Sequence, residues 1–129
     1  MSMKFGILVL GLALSALAVP VSAHHSWTAE YDSKKPVKVQ GVVTKVEWTN
    51  PHTHFYVDET DAAGKVTHWN FEMASTPALE RSGWSRNVLP VGTPVTVEGF
   101  AGRNVAERAI VTAFHGPNGK EFFVPKLGN

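Results

Sequence analysis

The chain opens on an apolar run, residues 5–19 (FGILVLGLALSALAV), and from residue 37 onward changes to alternating apolar and polar positions. Alternation at a period of two marks half-buried strands. It predicts a long valine-rich strand over 37–49 (VKVQGVVTKVEWT), with Gly41 where a strand coils or bulges and Asn50-Pro51 as its breaker. A second strand follows over 54–60 (HFYVDET), then a turn at Asp61-Ala62-Ala63-Gly64, then a third strand over 65–73. Thr76 reads as an N-cap, Pro77 as a first-turn residue and Gly83 as a stop, which predicts one short helix over 77–82. Strands over 94–100 and 105–114 come next, and Pro117-Asn118-Gly119 turns the chain into a short last strand over 120–124. Three strands, a helix and two more strands, with a long bent first strand, is the order of a small OB-like barrel, all-β apart from that helix. The stretch 24–36 has weak periodicity and reads as an N-terminal arm.

The hairpin of the second and third strands fixes its own faces. A turn centred on Ala63 opposes Phe55 to Phe71 and Val57 to Trp69, which makes one side apolar. The same register opposes His54 to Glu72, Tyr56 to Asn70 and Asp58 to His68 on the other side. A slip of one residue would mix the two faces, so the pattern selects this pairing. His52 precedes the second strand on the side of His54. Trp48 and Trp69 read as core, since tryptophan buries a large area in a small barrel.

The apolar run changes the picture of where the functional chain begins. Lys4 supplies a positive start, the run is about 15 residues where a membrane span needs roughly 20, and no basic cluster follows it. Val21-Ser22-Ala23 places small residues at the −3 and −1 positions of a cleavage site. Residues 1–23 therefore read as a signal peptide cut after Ala23, residues 24–36 as the arm and residues 37–129 as the barrel domain. The expected location is the periplasm, with no membrane span after processing. Losing Lys4 leaves 11 basic against 11 acidic residues, and a neutral domain lacks the basic footprint of a nucleic-acid binder. With no cysteine in the chain, thiolate metal sites and thiol catalysis are excluded. Of Met1, Met3 and Met73 only Met73 survives processing, which leaves soft-metal chemistry to histidine.

The segments AHHSW, KPVKVQGVVTKVEWTNPHTHFYVD, RSGWSR and VGTPVTVEG together resemble a family of short exported proteobacterial proteins classed as a domain of unknown function. The resemblance covers nearly the whole mature chain. It implies a periplasmic address and a compact β-fold, and it carries no activity and no assigned residues.

Cleavage after Ala23 would make His24 the first residue of the mature chain, with a free amine beside its imidazole. His25 adds a second imidazole. Nitrogen ligands hold Cu(II) more tightly than the other divalent first-row ions, and Cu(II) favours tetragonal N/O surroundings. The amine, with a pKa of about 7.7–8.0, must lose its proton first, so binding weakens in mild acid. The position of His24 resembles the terminal-histidine copper sites called histidine braces. The rest of the chain does not, and a second brace histidine would come from His52 or His54. The expected ligands are His24, His25 and His54, with His52 and Glu72 as further candidates, and the expected function is a copper carrier or scavenger.

Blander readings stand beside this one. The histidine pair at 24–25 also fits a solvated arm, and His52 and His54 fit surface residues bonded to a neighbour such as Glu72. His68 and His115 read as structural. The alternative function is a metal-free OB-type module that binds a protein or oligosaccharide partner through Trp27, Tyr56 and Trp84. An enzyme is not expected. Ser26 and Ser85 lack a nucleophile-elbow context, no glycine-rich phosphate loop is present, and Glu72 or Asp58 beside histidines is a generic spacing.

Overall fold

A computed structural model describes residues 27–127. The signal-peptide reading of residues 1–23, the cleavage after Ala23 and the ligands His24 and His25 lie outside those residues. The described chain runs α1 (Trp27–Glu30), β1 (Tyr31–Glu47), β2 (His54–Thr60), β3 (Val66–Glu72), α2 (Thr76–Arg81), β4 (Pro94–Gly102), β5 (Arg108–His115), a 3-10 turn (Pro117–Gly119) and β6 (Glu121–Phe122). The sheet order is β3-β2-β1-β4-β5-β6, and a parallel pairing of β3 with β5 closes a ring of five strands. The protein is mainly β and OB-like, with α2 lying in the chain between the third and fourth strands.

The ring closes because β1 is long enough to serve two partners. Its first part pairs antiparallel with β4 from Pro36 to Val42, and its second part pairs with β2 from Val42 to Glu47. The strand changes partner beside Gly41. A Cβ there would stand 2.2 Å from the Asp58 carbonyl oxygen and 2.8 Å from Val57 Cγ1. Only glycine lets the two backbones approach so closely. The bulge expected near this glycine falls a little later, between Val43 and Lys45. Two smaller closing details follow the same logic of local fit. The β3–β5 ladder is short (Asn70↔Arg108, Phe71↔Ala109, Glu72↔Ile110), and β6 is an appended edge piece paired to the end of β5.

Core residues come from every strand in the ring: Val39 and Val43, Phe55 and Val57, Phe71, Val95 and Val97, and Ala109, Val111 and Phe114, with the alternation shifted by one between Val111 and Phe114 where the β4–β5 register slips. Leu79 of α2 is fully buried beneath them. Trp84 completes the aromatic cluster, with ring centroids 5.6 Å from Phe55, 5.2 Å from Phe114 and 4.8 Å from Phe122. Its indole N–H donates to the Phe123 carbonyl at 2.7 Å, which satisfies the polar handle of a buried tryptophan.

The strand boundaries differ from expectation at identifiable places. β1 starts at Tyr31, so 31–36 of the expected arm belongs to a strand of the barrel. Charged and proline residues (DSKKP) hid it, because its partner β4 holds Tyr31 through Gly102 while residues 33–36 are exposed. β5 starts at Arg108 instead of 105, since Val105 lies exposed in the turn that precedes it. The last strand shortens to Glu121–Phe122. The N-cap of α2 is Ser75, whose side chain accepts from the Ala78 N–H, and Thr76 is the first helical residue. Thr76 is held instead by Asn50, whose side-chain oxygen accepts from both its N–H and its hydroxyl at 3.0 Å.

Candidate functional site

The β2–β3 hairpin has the register that alternation dictates. His54 pairs with Glu72, Phe55 with Phe71, Tyr56 with Asn70, Val57 with Trp69 and Asp58 with His68. Phe55, Val57 and Phe71 are sealed in the core, and Trp69 packs half-buried against Phe71 with its N–H on Glu59. The opposite face carries the histidines. All three are tethered in the same way. His52 Nδ1 lies 2.5 Å from Glu72 Oε1, His54 Nδ1 lies 2.8 Å from Asn70 Oδ1, and His68 Nδ1 lies 2.6 Å from Asp58 Oδ1. Each partner is an oxygen that only accepts, so each Nδ1 carries the proton, and in the neutral ring the lone pair sits on Nε2.

Glu72 is the hub of this face. It is buried, at 3% exposure, although alternation puts it on the outer side of the barrel. Oε1 holds His52, while Oε2 accepts from the Tyr31 hydroxyl and from Arg108 Nη2, the latter at 2.9 Å. Arg108 also lies over the Tyr31 ring, 5.5 Å from its centroid. Burial alone would push the Glu72 carboxyl up. The Tyr31 hydroxyl, the Arg108 charge and the His52 ring outweigh burial and hold it below the ordinary carboxylate range. The Tyr31 hydroxyl moves the other way, raised by burial first and then by its bond to Glu72. A second, exposed group stands beside His54 across β1, where Lys45 pairs with Glu47 at 2.8 Å and lies 5.2 Å over the Tyr56 ring.

Of the residues singled out from the sequence, His52, His54 and Glu72 thus share one face, with His52 and Glu72 in direct contact. Glu72 has both oxygens engaged by the protein. His68 is exposed on the same face, further along the hairpin. Among the described residues, no three of His, Asp and Glu converge to hold a metal ion. Trp84 is buried at 3% exposure and leaves the aromatic surface proposed from sequence. Trp27 stays on it: its ring stacks on Phe100 at 5.8 Å and 12°. Together they wall a groove of about 620 Å³ lined also by Ile110, Thr112 and Val124.

The family of unknown function DUF6152 matches residues 12–111. The chain belongs to this family. No curated protein and no solved structure matches it significantly. The DUF6152 chain therefore brings a fold and a set of motifs without an inherited chemistry. Several of those motifs have structural work in the barrel. VEWTNPH supplies the end of β1, the Asn50 brace on α2, a cis Asn50–Pro51 bond and the tethered His52. RSGWSR supplies Trp84 and the positive-φ Gly83 that ends the helical segment.

Tyr31 and Arg108 are the members of the face that pattern reading missed. Tyr31 lies among polar residues with no period, so nothing local marks it as buried. Arg108 leaves a faint trace, since it stands two positions before Ile110 and so on the same side of β5. Among the described residues no helix is long and apolar enough to cross a membrane.

Proposed function

We propose that this DUF6152 protein is a periplasmic metal-binding protein that carries or scavenges copper, and that it is not itself an enzyme. The observation that supports the reading is the tethering of His52 and His54 through Nδ1, which leaves Nε2 of each as a ligand atom. An imidazole whose other nitrogen donates to a carboxylate or amide oxygen is oriented and made more basic for a metal. Two such rings stand at i and i+2 on one face. They are too few alone, and a chain cut after Ala23 would add the amine and imidazole of His24.

Placement favours this supply. Phe100, Ile110 and Glu72 form one row across β4, β5 and β3. At a strand spacing of about 4.8 Å, Phe100 and Glu72 are roughly 10 Å apart. Trp27, stacked on Phe100, therefore stands about two strands from Glu72 and the His52 ring bound to it. The row continues from Glu72 to His54 on the far strand, while the His52 ring reaches back to Glu72 itself at 2.5 Å, which ranks His52 ahead of His54 as the barrel's ligand. Glu72 then serves His52 as its oriented partner and does not coordinate. The ligand set is the His24 amine and ring with His52 Nε2, His54 and His25 lying next in reach.

Copper titration of protein that begins at His24 tests this, followed by the visible spectrum or the paramagnetic signal. One Cu(II) should bind, at least tenfold more tightly than to protein carrying one extra residue before His24. His24→Ala should weaken binding most and His52→Ala more than His54→Ala. Equal affinities of the processed and extended chains would remove the amine from the site. The groove beside Trp27 and Phe100 favours a second reading, a partner-binding module, which stands if neither chain binds saturably.

A further inference from the structure

Trp48 and Arg86 belong to the segments VEWTNPH and RSGWSR, far apart in the chain, and meet in one groove of about 490 Å³ beside the end of β1. That size suits a small ligand, for which pockets of about 300–1,000 Å³ are usual. Val46, Leu89 and Pro90 form an apolar wall with the half-buried Trp48 ring. The wall is fixed in advance. Trp84 and Leu89, on either side of Arg86 and Asn87 in the chain, are both buried in the core. Gly92 donates its N–H to the Val43 carbonyl at 2.8 Å, and Val43 donates to the Thr93 carbonyl at 3.0 Å, which pins the end of the loop to β1. Against this wall stand three unused donors. Arg86 and Asn87 are exposed, and neither side chain has a hydrogen-bond or ion-pair partner among the described residues. The Trp48 N–H has no acceptor there either, whereas Trp69 donates to Glu59 and Trp84 to the Phe123 carbonyl. Among the described residues that line the groove none is acidic, so the Arg86 charge is uncompensated.

We propose that this groove binds a uronate unit of an acidic oligosaccharide, with its carboxylate on Arg86, its hydroxyls on Asn87 and the Trp48 N–H, and its ring against the apolar wall. The site is independent of the copper reading and shares no residue with it. A planar guanidinium meets a carboxylate with two parallel N–H bonds. A pyranose ring adds what the rest of the groove asks for: hydroxyl oxygens for the two neutral donors and C–H faces for the indole and Pro90. A neutral sugar would leave Arg86 without a partner. A linear peptide carboxylate would engage Arg86 and leave the wall uncovered. Since the loop is already held by Trp84, Leu89 and Gly92, binding orders little of the chain.

Calorimetric titration of trigalacturonate and of neutral galactotriose into copper-free protein beginning at His24 tests this. Trigalacturonate should bind about tenfold more tightly, the effect of one hydrogen bond to a charged group. Arg86→Gln should abolish that preference while leaving galactotriose binding and the unfolding temperature unchanged, because Arg86 is exposed and unpartnered among the described residues. Arg86→Lys should restore only part of it, since an ammonium lacks the fork. Trp48→Phe, which keeps an apolar ring and removes the N–H, should weaken both sugars alike. Arg81, exposed on α2 and outside the lining, is the control, and Arg81→Gln should change neither affinity. Equal losses from Arg81→Gln and Arg86→Gln would reduce the effect to diffuse charge and overturn the proposal. So would equal affinity for the two sugars, no binding of either, or an acetylated tripeptide with a free carboxylate binding as tightly as trigalacturonate. Copper binding has no bearing on any of these outcomes, so the two sites stand or fall separately.

Discussion

Glu72 is the residue on which most of the polar face depends. A carboxylate at 3% exposure is tolerable only with its oxygens satisfied, and Tyr31, Arg108 and His52 do this. Replacing it by alanine would leave buried or half-buried donors without an acceptor. Glu72→Ala should cost about 3 kcal/mol of stability in urea unfolding, the lower end for breaking a buried ion pair, because Arg108 and His52 are partly exposed. Glu72→Gln should cost less, since an amide oxygen still accepts. The carboxyl is depressed in the fold, so its contribution is fully present above the ordinary carboxylate range and is lost as pH falls through the folded value. Wild-type stability should therefore fall with acid below that range more steeply than that of Glu72→Gln. Parallel curves for the two proteins in acid would contradict the assignment.

At the scale of elements, the strands divide labour by how completely each is enclosed. Trp84, from the loop after α2, is deeper than Trp69 of β3, although both look alike in sequence. Trp84→Ala should cost about 3–5 kcal/mol, the range for truncating a large buried aromatic. Trp69→Ala should cost clearly less, because that ring is only half-buried and its N–H faces Glu59. Thermal and urea unfolding of the pair measure the order, and a reversed order would relocate the core. β1 offers a sharper case. Gly41→Ala drives a Cβ to 2.2 Å from the backbone oxygen of Asp58, which no rotamer change relieves. Expect a loss of about 2–3 kcal/mol, as for overpacking in a tight core. A neutral outcome would show that β1 and β2 can part there.

At the scale of the whole molecule, the described residues form a closed ring with a polar face, and the proposed ligand should couple to both. A ligand that binds only the folded state adds about 2.7 kcal/mol at a hundredfold excess over Kd. For a domain of this size each kcal/mol moves Tm by roughly 4–8 °C. Copper at that excess should thus raise the Tm of protein beginning at His24 by about 10–20 °C. Chelation should reverse the shift, and the chain extended by one residue should show little of it. Calorimetry in the presence and absence of copper gives the answer, and an equal shift in both chains would place the ion elsewhere.

What the sequence by itself determined is local and periodic. The hairpin register follows from alternation about Ala63, because a one-residue slip would expose Phe55 and Phe71 together. The order of strands and the short helix near Pro77 follow from turn residues and caps, and the barrel class follows from that order. Boundaries moved where the local signal was shared: Ser75 and Thr76 both suit an N-cap, and Asn50, far along the chain, takes Thr76. Only the tertiary structure decided that Tyr31 leaves the expected arm to meet Glu72. It alone brought Arg108 of β5 to the same carboxylate and turned Trp84 inward. The physical reason is closure. Pairing β3 with β5 sets Glu72 and Asn70 beside Ile110 and Arg108, and a carboxylate on the outer side of a strand becomes buried when other parts of the chain fold across it. No window of sequence contains both halves of such a contact.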